Sequence, residues 1–519
     1  MRIKLNIGLI LFATLLMSGC SIFPEYIKTA IKMPDSWQAK LPKAEPPKDT
    51  TTQEKLPHNA NVSQLMDWWG QFNDPALNKL LKAAEADSPT LDIALANIKS
   101  ARANTVSAGA KGLPSLTGTA SVTRSQAAAS TGSSSSFAGV SGLSTSTVGA
   151  LDASWEIDLF GGIKFAKQAA KARLEAKQSS WHAARVSLAA EVATNYVDYR
   201  ACQLSVAAYQ QAMTSKNETS RLTKILADAG FSAPADAALA EASLRATESS
   251  LINQKAQCEN TIKALVALTN LAESGVRKIL SREILSNNDV VELPQPTEFN
   301  VDSVPANLIT QRPDLNADER NVAAASADTG VATANRYPSL SLIGSIGRSK
   351  ISSSSFSSSS NTWSFGPTIS LPIFDGGQRK AEVSIAEANY TVALATYQQD
   401  ARNAVKEVEQ TLVNLDSAAR RESTEKISTE QYRSYYKAAE INWRSGGISL
   451  ITLEDARRQL ITAELSHITQ QRDHVQYWIA LYKALGGGWQ LNSDYGTADT
   501  AKTSSTDMHN ETQSNESKK

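Results

Sequence analysis

Four stretches of the chain alternate between apolar and polar side chains with a period of two. In the first, Leu116, Ala120 and Val122 share one parity, and Ser115, Thr117, Thr119, Ser121 and Thr123 share the other. Leu151, Ala153, Trp155, Ile157 and Leu159 alternate with Asp152, Ser154, Glu156 and Asp158. Leu340, Leu342 and Ile346 alternate with Ser339, Ser341 and Ser345, and Trp363, Phe365, Ile369 and Leu371 alternate with Ser364, Thr368 and Ser370. This period predicts strands with one apolar and one hydroxyl-rich face, each about ten residues long, which is what a tilted strand needs to cross a bilayer. The segments joining them, QAAASTGSSSSFAGVSGLST (126–145) and SKISSSSFSSSSN (349–361), are polar and low in complexity, as surface loops are.

The rest of the chain predicts helices of unusual length. Residues 163–229 and 378–445, 67 and 68 residues long, contain neither glycine nor proline. At 1.5 Å per residue each reaches about 100 Å. In the second, Tyr390, Leu394, Tyr397, Ala401, Val405, Val408, Leu412 and Leu415 recur at spacings of three and four, the seam of a helix packed lengthwise on others. The polar clusters TSKNETS (214–220) and RRESTEKIST (420–429) predict a local break or a surrounding belt in each. Both helices end in glycine turns, at Ala229–Ser232 and Ser445–Ser449, followed by returning helices over Asp236–Thr269 and Leu453–Leu485.

The pattern occurs twice. Pro89 and Pro114 align with Pro313 and Pro338 at one offset of 224 residues, and the strand-to-helix corner WEIDLFGGIK (155–164) has a counterpart in TISLPIFDGGQRK (368–380). Each copy reads helix, strand, Ser-rich loop, strand, glycine corner, long helix, turn and returning helix. The boundaries are 71–290 for the first copy and 300–490 for the second.

Strand alternation alone favours a soluble sheet over a membrane barrel, and export together with the polar loops reverses that. Arg2 and Lys4 precede the apolar run Leu5–Met17, too short to span a bilayer, and Leu16-Met17-Ser18-Gly19-Cys20 closes it. This resembles a lipoprotein signal: residues 1–19 would be removed and Cys20 acylated as the mature N-terminus. The bland alternative, an ordinary cleaved signal with a chance cysteine, is disfavoured by the small pair Ser18-Gly19 directly before Cys20. Met17 departs from the usual Leu, and Ser21, in place of Asp, implies sorting to the outer membrane. A lone four-stranded sheet in lipid would leave unpaired edges, so the membrane reading requires several chains to share one barrel.

Composition narrows the function. Only 6% of the 519 residues are aromatic, which favours long helices, and the net charge of zero argues against nucleic acid as a partner. Cys202 and Cys258 are centred on Gly230, so an antiparallel hairpin turning there sets them level. They are then either a disulfide or two small buried residues. His467 and His474 lie seven apart on one helix, too far for the i, i+4 zinc geometry, and no nucleophile elbow or phosphate loop occurs. No enzyme, cofactor or metal site is expected. Residues 21–64, rich in Pro and Lys, read as an extended segment leading from the anchor, within an N-terminal stretch 20–70. The polar tail, 491–519, reads as disordered.

Taken together, DWWGQFNDPALNKLL (67–81), RPDLNADERNVAAASADTGVATANRYPSLSL (312–342), LPIFDGG (371–377) and ALGGGW (484–489) resemble the TolC-type outer membrane factors, specifically the lipoprotein branch (NodT/OprM type). The resemblance spans residues 20–490. It implies a homotrimer in which four strands per chain build a shared 12-stranded barrel, continued by a long α-helical barrel. It also implies passive conduction in a tripartite efflux pump with a periplasmic adaptor and an inner-membrane transporter. In such proteins the tunnel closes at its periplasmic tip on an apolar residue, an Asp four later and an Arg three after that, a pattern met here by Ile451, Asp455 and Arg458. Their spacing places all three on one helical face. For the Asp and Arg, the bland alternative is an exposed ion pair on a solvated helix. Gly230, Ser232, Arg444, Gly446 and Ser449 would meet the adaptor. A TolC-like duct for secreted proteins shares the fold; a periplasmic coiled-coil scaffold lipoprotein is the alternative of a different class.

Overall fold

The computed structural model describes residues 23–28, 31, 34, 37–39, 68–72, 74–127, 142–281, 293–294, 312–353 and 357–488. The signal segment, Cys20, Trp489 and the tail 491–519 lie outside the described residues. After a 3-10 turn (Trp68–Phe72), the elements run α1 (Pro75–Ala86), α2 (Pro89–Ala110), β1 (Ser115–Ala127), β2 (Gly142–Ile157), α3 (Gly162–Asp228), α4 (Pro234–Thr269) and α5 (Glu273–Ser281). They continue with α6 (Pro313–Ala334), β3 (Ser339–Ser353), β4 (Ser357–Ser370), α7 (Gln378–Arg444) and α8 (Leu450–Ala484). The chain divides into one unit built on 95–178 and 317–399, with the N-terminal residues, and a second built on 32–94, 179–316 and 400–519.

In the first unit the strands form one antiparallel sheet in the order β1-β2-β3-β4, leaving β1 and β4 as open edges. Register carries the alternation across all four strands. Leu116 faces Ala153, then Gly344, then Phe365, and the next row on the same face is Gly118, Leu151, Ile346 and Trp363. The opposite face carries the row Thr117, Asp152, Ser345 and Ser364. Ile343 falls among these hydroxyls, pairing with Ser154 and Gly366, against the pattern read from the sequence. The apolar face is bare: Trp363 is 81% exposed, and Leu116, Ile346, Phe365 and Ile369 are exposed with it.

The strands hold 13, 16, 15 and 14 residues, longer than the expected ten. The extra residues include Ser144, Ser349, Ser352, Ser353 and Ser357–Ser360, which belong to the polar segments read above as loop. Ser144, for example, pairs with Ser125 across β1 and β2, with their hydroxyls 3.2 Å apart.

Both corners into the long helices use an aspartate as cap. Asp158 accepts from the Lys164 amide at 2.7 Å, and Asp375 accepts from Gly377 at 2.9 Å and Arg379 at 3.3 Å. Beside the first corner, Phe165 lies so close to Gly330 that a Cβ there would meet the ring at 2.8 Å. The N-terminal strap docks at the same place. Phe23 packs edge-on against Phe165 at 5.9 Å, Lys164 pairs with Glu25 at 3.2 Å, and Tyr26 donates to Glu319 at 3.0 Å.

In the second unit the helices pack on a core containing Trp68, Leu77, Leu80, Val192, Tyr196, Leu265, Leu412 and Trp478. Trp68 stacks on Tyr482 at 4.8 Å, and Asp74 both caps α1 and accepts from the Tyr196 hydroxyl. The GGG motif follows from packing: Gly487 has a φ of +68°, and a Cβ on it would meet Val186 at 2.5 Å. Arg312 ties this corner to the start of α6, donating to the Ala484 carbonyl at 3.1 Å and pairing with Glu407 at 2.8 Å.

The long helices are uninterrupted, so neither polar cluster breaks one. Without Gly or Pro, the Thr hydroxyls return to carbonyls four residues back, as at Thr219 to Ser215 and Thr424 to Arg420, and the helical ladder survives. The α7 seam is buried at Tyr397, Ala401, Val408, Leu412 and Leu415 and half-buried at Tyr390, Leu394 and Val405. Among the described residues, no helix is long and apolar enough to cross a membrane.

Candidate functional site

The two glycine turns are built alike. Gly230 and Gly446 both adopt a φ of +77°, and in each the next residue bonds five residues back, Phe231 N to Leu226 O and Gly447 N to Asn442 O, both at 2.8 Å. This is the left-handed cap that only glycine adopts without strain. Ser232 donates to Asp236 at 2.9 Å, Ser449 caps α8 by accepting from the Thr452 amide at 3.3 Å, and Arg444 pairs with Glu440 at 2.9 Å. Phe231, which followed Gly230 in the sequence without attracting a role, is 84% exposed although the residue after such a cap ordinarily packs back on its helix.

Past the second turn, α8 presents two faces. Ile451, Asp455 and Arg458 share the exposed one, where Arg458 Nη2 donates to Asp455 Oδ1 at 2.7 Å. Leu450, Leu453, Ala456 and Leu460 bury the other, and Arg457 lies among them. Its guanidinium is ion-paired to Glu454 and donates to Ser215 at 3.1 Å, Thr219 at 3.0 Å and the Tyr436 hydroxyl at 3.3 Å. Ser243 donates to Glu454 at 2.6 Å, and Lys216 donates to Ser243 at 2.8 Å and pairs with Glu454 at 3.5 Å. The cluster therefore ties α3, α4, α7 and α8 together. It holds two cations against one carboxylate, and burial pushes the Lys216 amine below its ordinary range although Glu454 pulls it the other way. Arg457 Nε is buried without a partner among the described residues.

Sequence reading had not assigned this cluster a role. Its signals were that Arg457 continues the apolar stripe Leu450, Leu453 and Leu460 at helical spacing, and that Ser215, Lys216 and Thr219 fall in the polar cluster TSKNETS, read only as a break or belt.

Nearer the middle of the hairpins, Cys202 on α3 and Cys258 on α4 form a disulfide with Cα atoms 5.6 Å apart. His474 on α8 bonds Glu422 through Nδ1 at 2.6 Å and accepts from Trp478 at 3.2 Å, leaving both its ring nitrogens occupied. Among the described residues no group of His, Cys, Asp and Glu could hold a metal ion.

The sequence profile described as "Outer membrane efflux protein" matches residues 80–271 and 304–487, well over half of the chain. The chain belongs to that family. The solvent efflux pump outer membrane protein SrpC of Pseudomonas putida is 28% identical over 493 residues, covering 93% of this chain and 98% of the relative. Outer membrane protein OprJ of Pseudomonas aeruginosa is 29% identical, covering 92% of this chain and 95% of its own length. Among solved structures, the outer-membrane channel OprN superimposes with a TM-score of 0.74 at 29% identity, over 91% of this chain and all of that one. Family membership and this likeness make the chain an outer membrane efflux protein of channel fold.

Proposed function

We propose that three copies of this chain form the outer membrane channel of a tripartite efflux pump, conducting substrates passively from an inner-membrane transporter and periplasmic adaptor to the cell exterior. The observation that carries it is the sheet: four strands with a bare apolar face, a hydroxyl-rich opposite face and two open edges. In water that apolar face is an aggregation hazard, and in lipid the open edges are prohibitive. Three sheets closed edge to edge into twelve strands satisfy both, with apolar residues to lipid and hydroxyls to the lumen. Ile451, Asp455 and Arg458 line the constriction of the helical part, and the glycine turns with exposed Phe231 offer the adaptor a surface.

The strap supports acylation of Cys20. Phe23, the first described residue and three after Cys20, is docked beside the strand-to-helix corner. The domain limits follow the two copies, 71–290 and 300–490, preceded by the cleaved segment 1–19. The name of one relative, a solvent efflux pump outer membrane protein, supports small organic cargo over folded proteins. Reconstitution into planar bilayers tests the reading: discrete conductance steps are expected, and a protein that leaves the bilayer silent, also after loss of the Asp455–Arg458 pair, refutes it.

A further inference from the structure

The charges of the sheet are sorted by face. Its carboxylates, Asp152 and Glu156, lie on the hydroxyl-rich side, paired with Thr117 and Ser345 and with Ser341. Its cations, Arg124, Arg348 and Lys350, all lie on the apolar side, at one end of it. Above the row Gly118, Leu151, Ile346 and Trp363, the same face continues as Ala120, Gly149, Arg348 and Asn361, then Val122, Thr147, Lys350 and Ser359, then Arg124, Thr145, Ser352 and Ser357. All three cations are exposed, and none has a carboxylate partner among the described residues. Charged side chains on a lipid-facing surface are costly near the bilayer midplane and tolerated at its edges, so their height is informative.

That height follows from the register. The Arg348 row lies eight residues along the strand from the apolar row Ile157, Leu340 and Ile369. At about 3.4 Å per residue and a tilt of about 40°, this is about 21 Å along the membrane normal, with the Lys350 and Arg124 rows at about 26 and 31 Å. The apolar band of a membrane barrel is about 25 Å tall, so the three cations straddle its upper limit, at the end remote from the helices. They occupy successive rows on β3 and β1, which are two strands, about 10 Å, apart.

We infer that Arg124, Arg348 and Lys350 form a docking site for the phosphate-bearing headgroup of an outer-leaflet lipid, whose acyl chains lie on the apolar rows beneath. The commitment to a phosphorylated lipid rests on charge complementarity and on continuity with the lipid-facing surface: a free anion would have no reason to need Leu151, Ile346 and Trp363 below it. This rests on the membrane-channel reading, and the test separates the two.

The full mature protein is purified in mild detergent and titrated with bisphosphorylated lipid A or its dephosphorylated form, counting bound lipid by native mass spectrometry. Wild type is expected to prefer the phosphorylated form at least tenfold. R124Q/R348Q/K350Q should lose roughly a hundredfold in affinity, and K350Q alone roughly fivefold. Equal binding of the two lipids by wild type, or unchanged binding by the triple variant, overturns the site. If the triple variant does not fold, the two-lipid comparison on wild type still decides. Oligomer mass and conductance, measured on the same samples, are expected to be unchanged by the substitutions; their absence in wild type would instead count against the channel itself.

Discussion

Arg457 and Arg458 are consecutive in α8, yet their guanidinium groups serve opposite faces. Arg457 is 2% exposed and bonds residues of α3 and α7, whereas the Arg458 side chain is 74% exposed and pairs with Asp455 on its own helix. The first holds helices together, and the second lies on the exposed face of α8 with Asp455.

The buried cluster predicts an asymmetry. Glu454→Ala leaves Lys216 and Arg457 buried with no carboxylate, whereas Arg457→Ala leaves the Lys216–Glu454 pair balanced. Removing the lone anion should cost about 3–5 kcal/mol, and removing Arg457 clearly less. Urea unfolding of the two variants, followed by circular dichroism, checks the order; a larger loss for Arg457→Ala contradicts it.

The exposed pair predicts the reverse profile. Asp455→Ala and Arg458→Ala should each shift stability by less than about 1 kcal/mol, as surface pairs do. Both should raise single-channel conductance by opening the constriction. Unaltered conductance in both would remove these residues from the gate and leave only a solvated ion pair.

The Cys202–Cys258 disulfide closes a loop with a sequence separation of 56 between α3 and α4. Its loss should cost about 2–4 kcal/mol. Melting of wild type with and without reductant, beside C202S/C258S, checks this: reductant should lower the wild-type transition to that of the double variant and leave the variant unmoved.

His182 predicts acid sensitivity of the helical unit. It is 1% exposed, and burial together with neighbouring Arg185 lowers its pKa from 6.5 to about 4. Between those values the unfolded chain takes up a proton that the folded chain refuses, so the contribution is whole above pH 6.5 and is lost as pH falls toward 4. At full extent this is of order 3 kcal/mol per chain. His182→Gln should flatten the fall in stability across that window; an unchanged slope would show that other groups carry it.

Much of this was legible in the chain because its punctuation is unambiguous. The absence of Gly and Pro across 67 residues, ended by a glycine, set both ends of α3 and α7 to within a residue, and period two set the faces of the strands. Strand length was underread because Ser-rich β-structure carries no apolar face to mark it. The role of Arg457 was hidden because Glu454–Arg457 and Asp455–Arg458 have the same i, i+3 spacing, and only the packing of Leu450, Leu453 and Ala456 decides which pair turns inward. Helices α1 and α5 lay outside the repeating pattern, and the pairing of Cys202 with Cys258 rested on a hairpin that spacing alone could place but not orient.

The most direct test is the protein mass of the mature, detergent-extracted chain by light scattering, with the detergent contribution subtracted. Three chain masses, retained when the Cys20 anchor is removed, are what a shared twelve-stranded barrel requires. A monomer that stays in solution without detergent once the anchor is gone would contradict it.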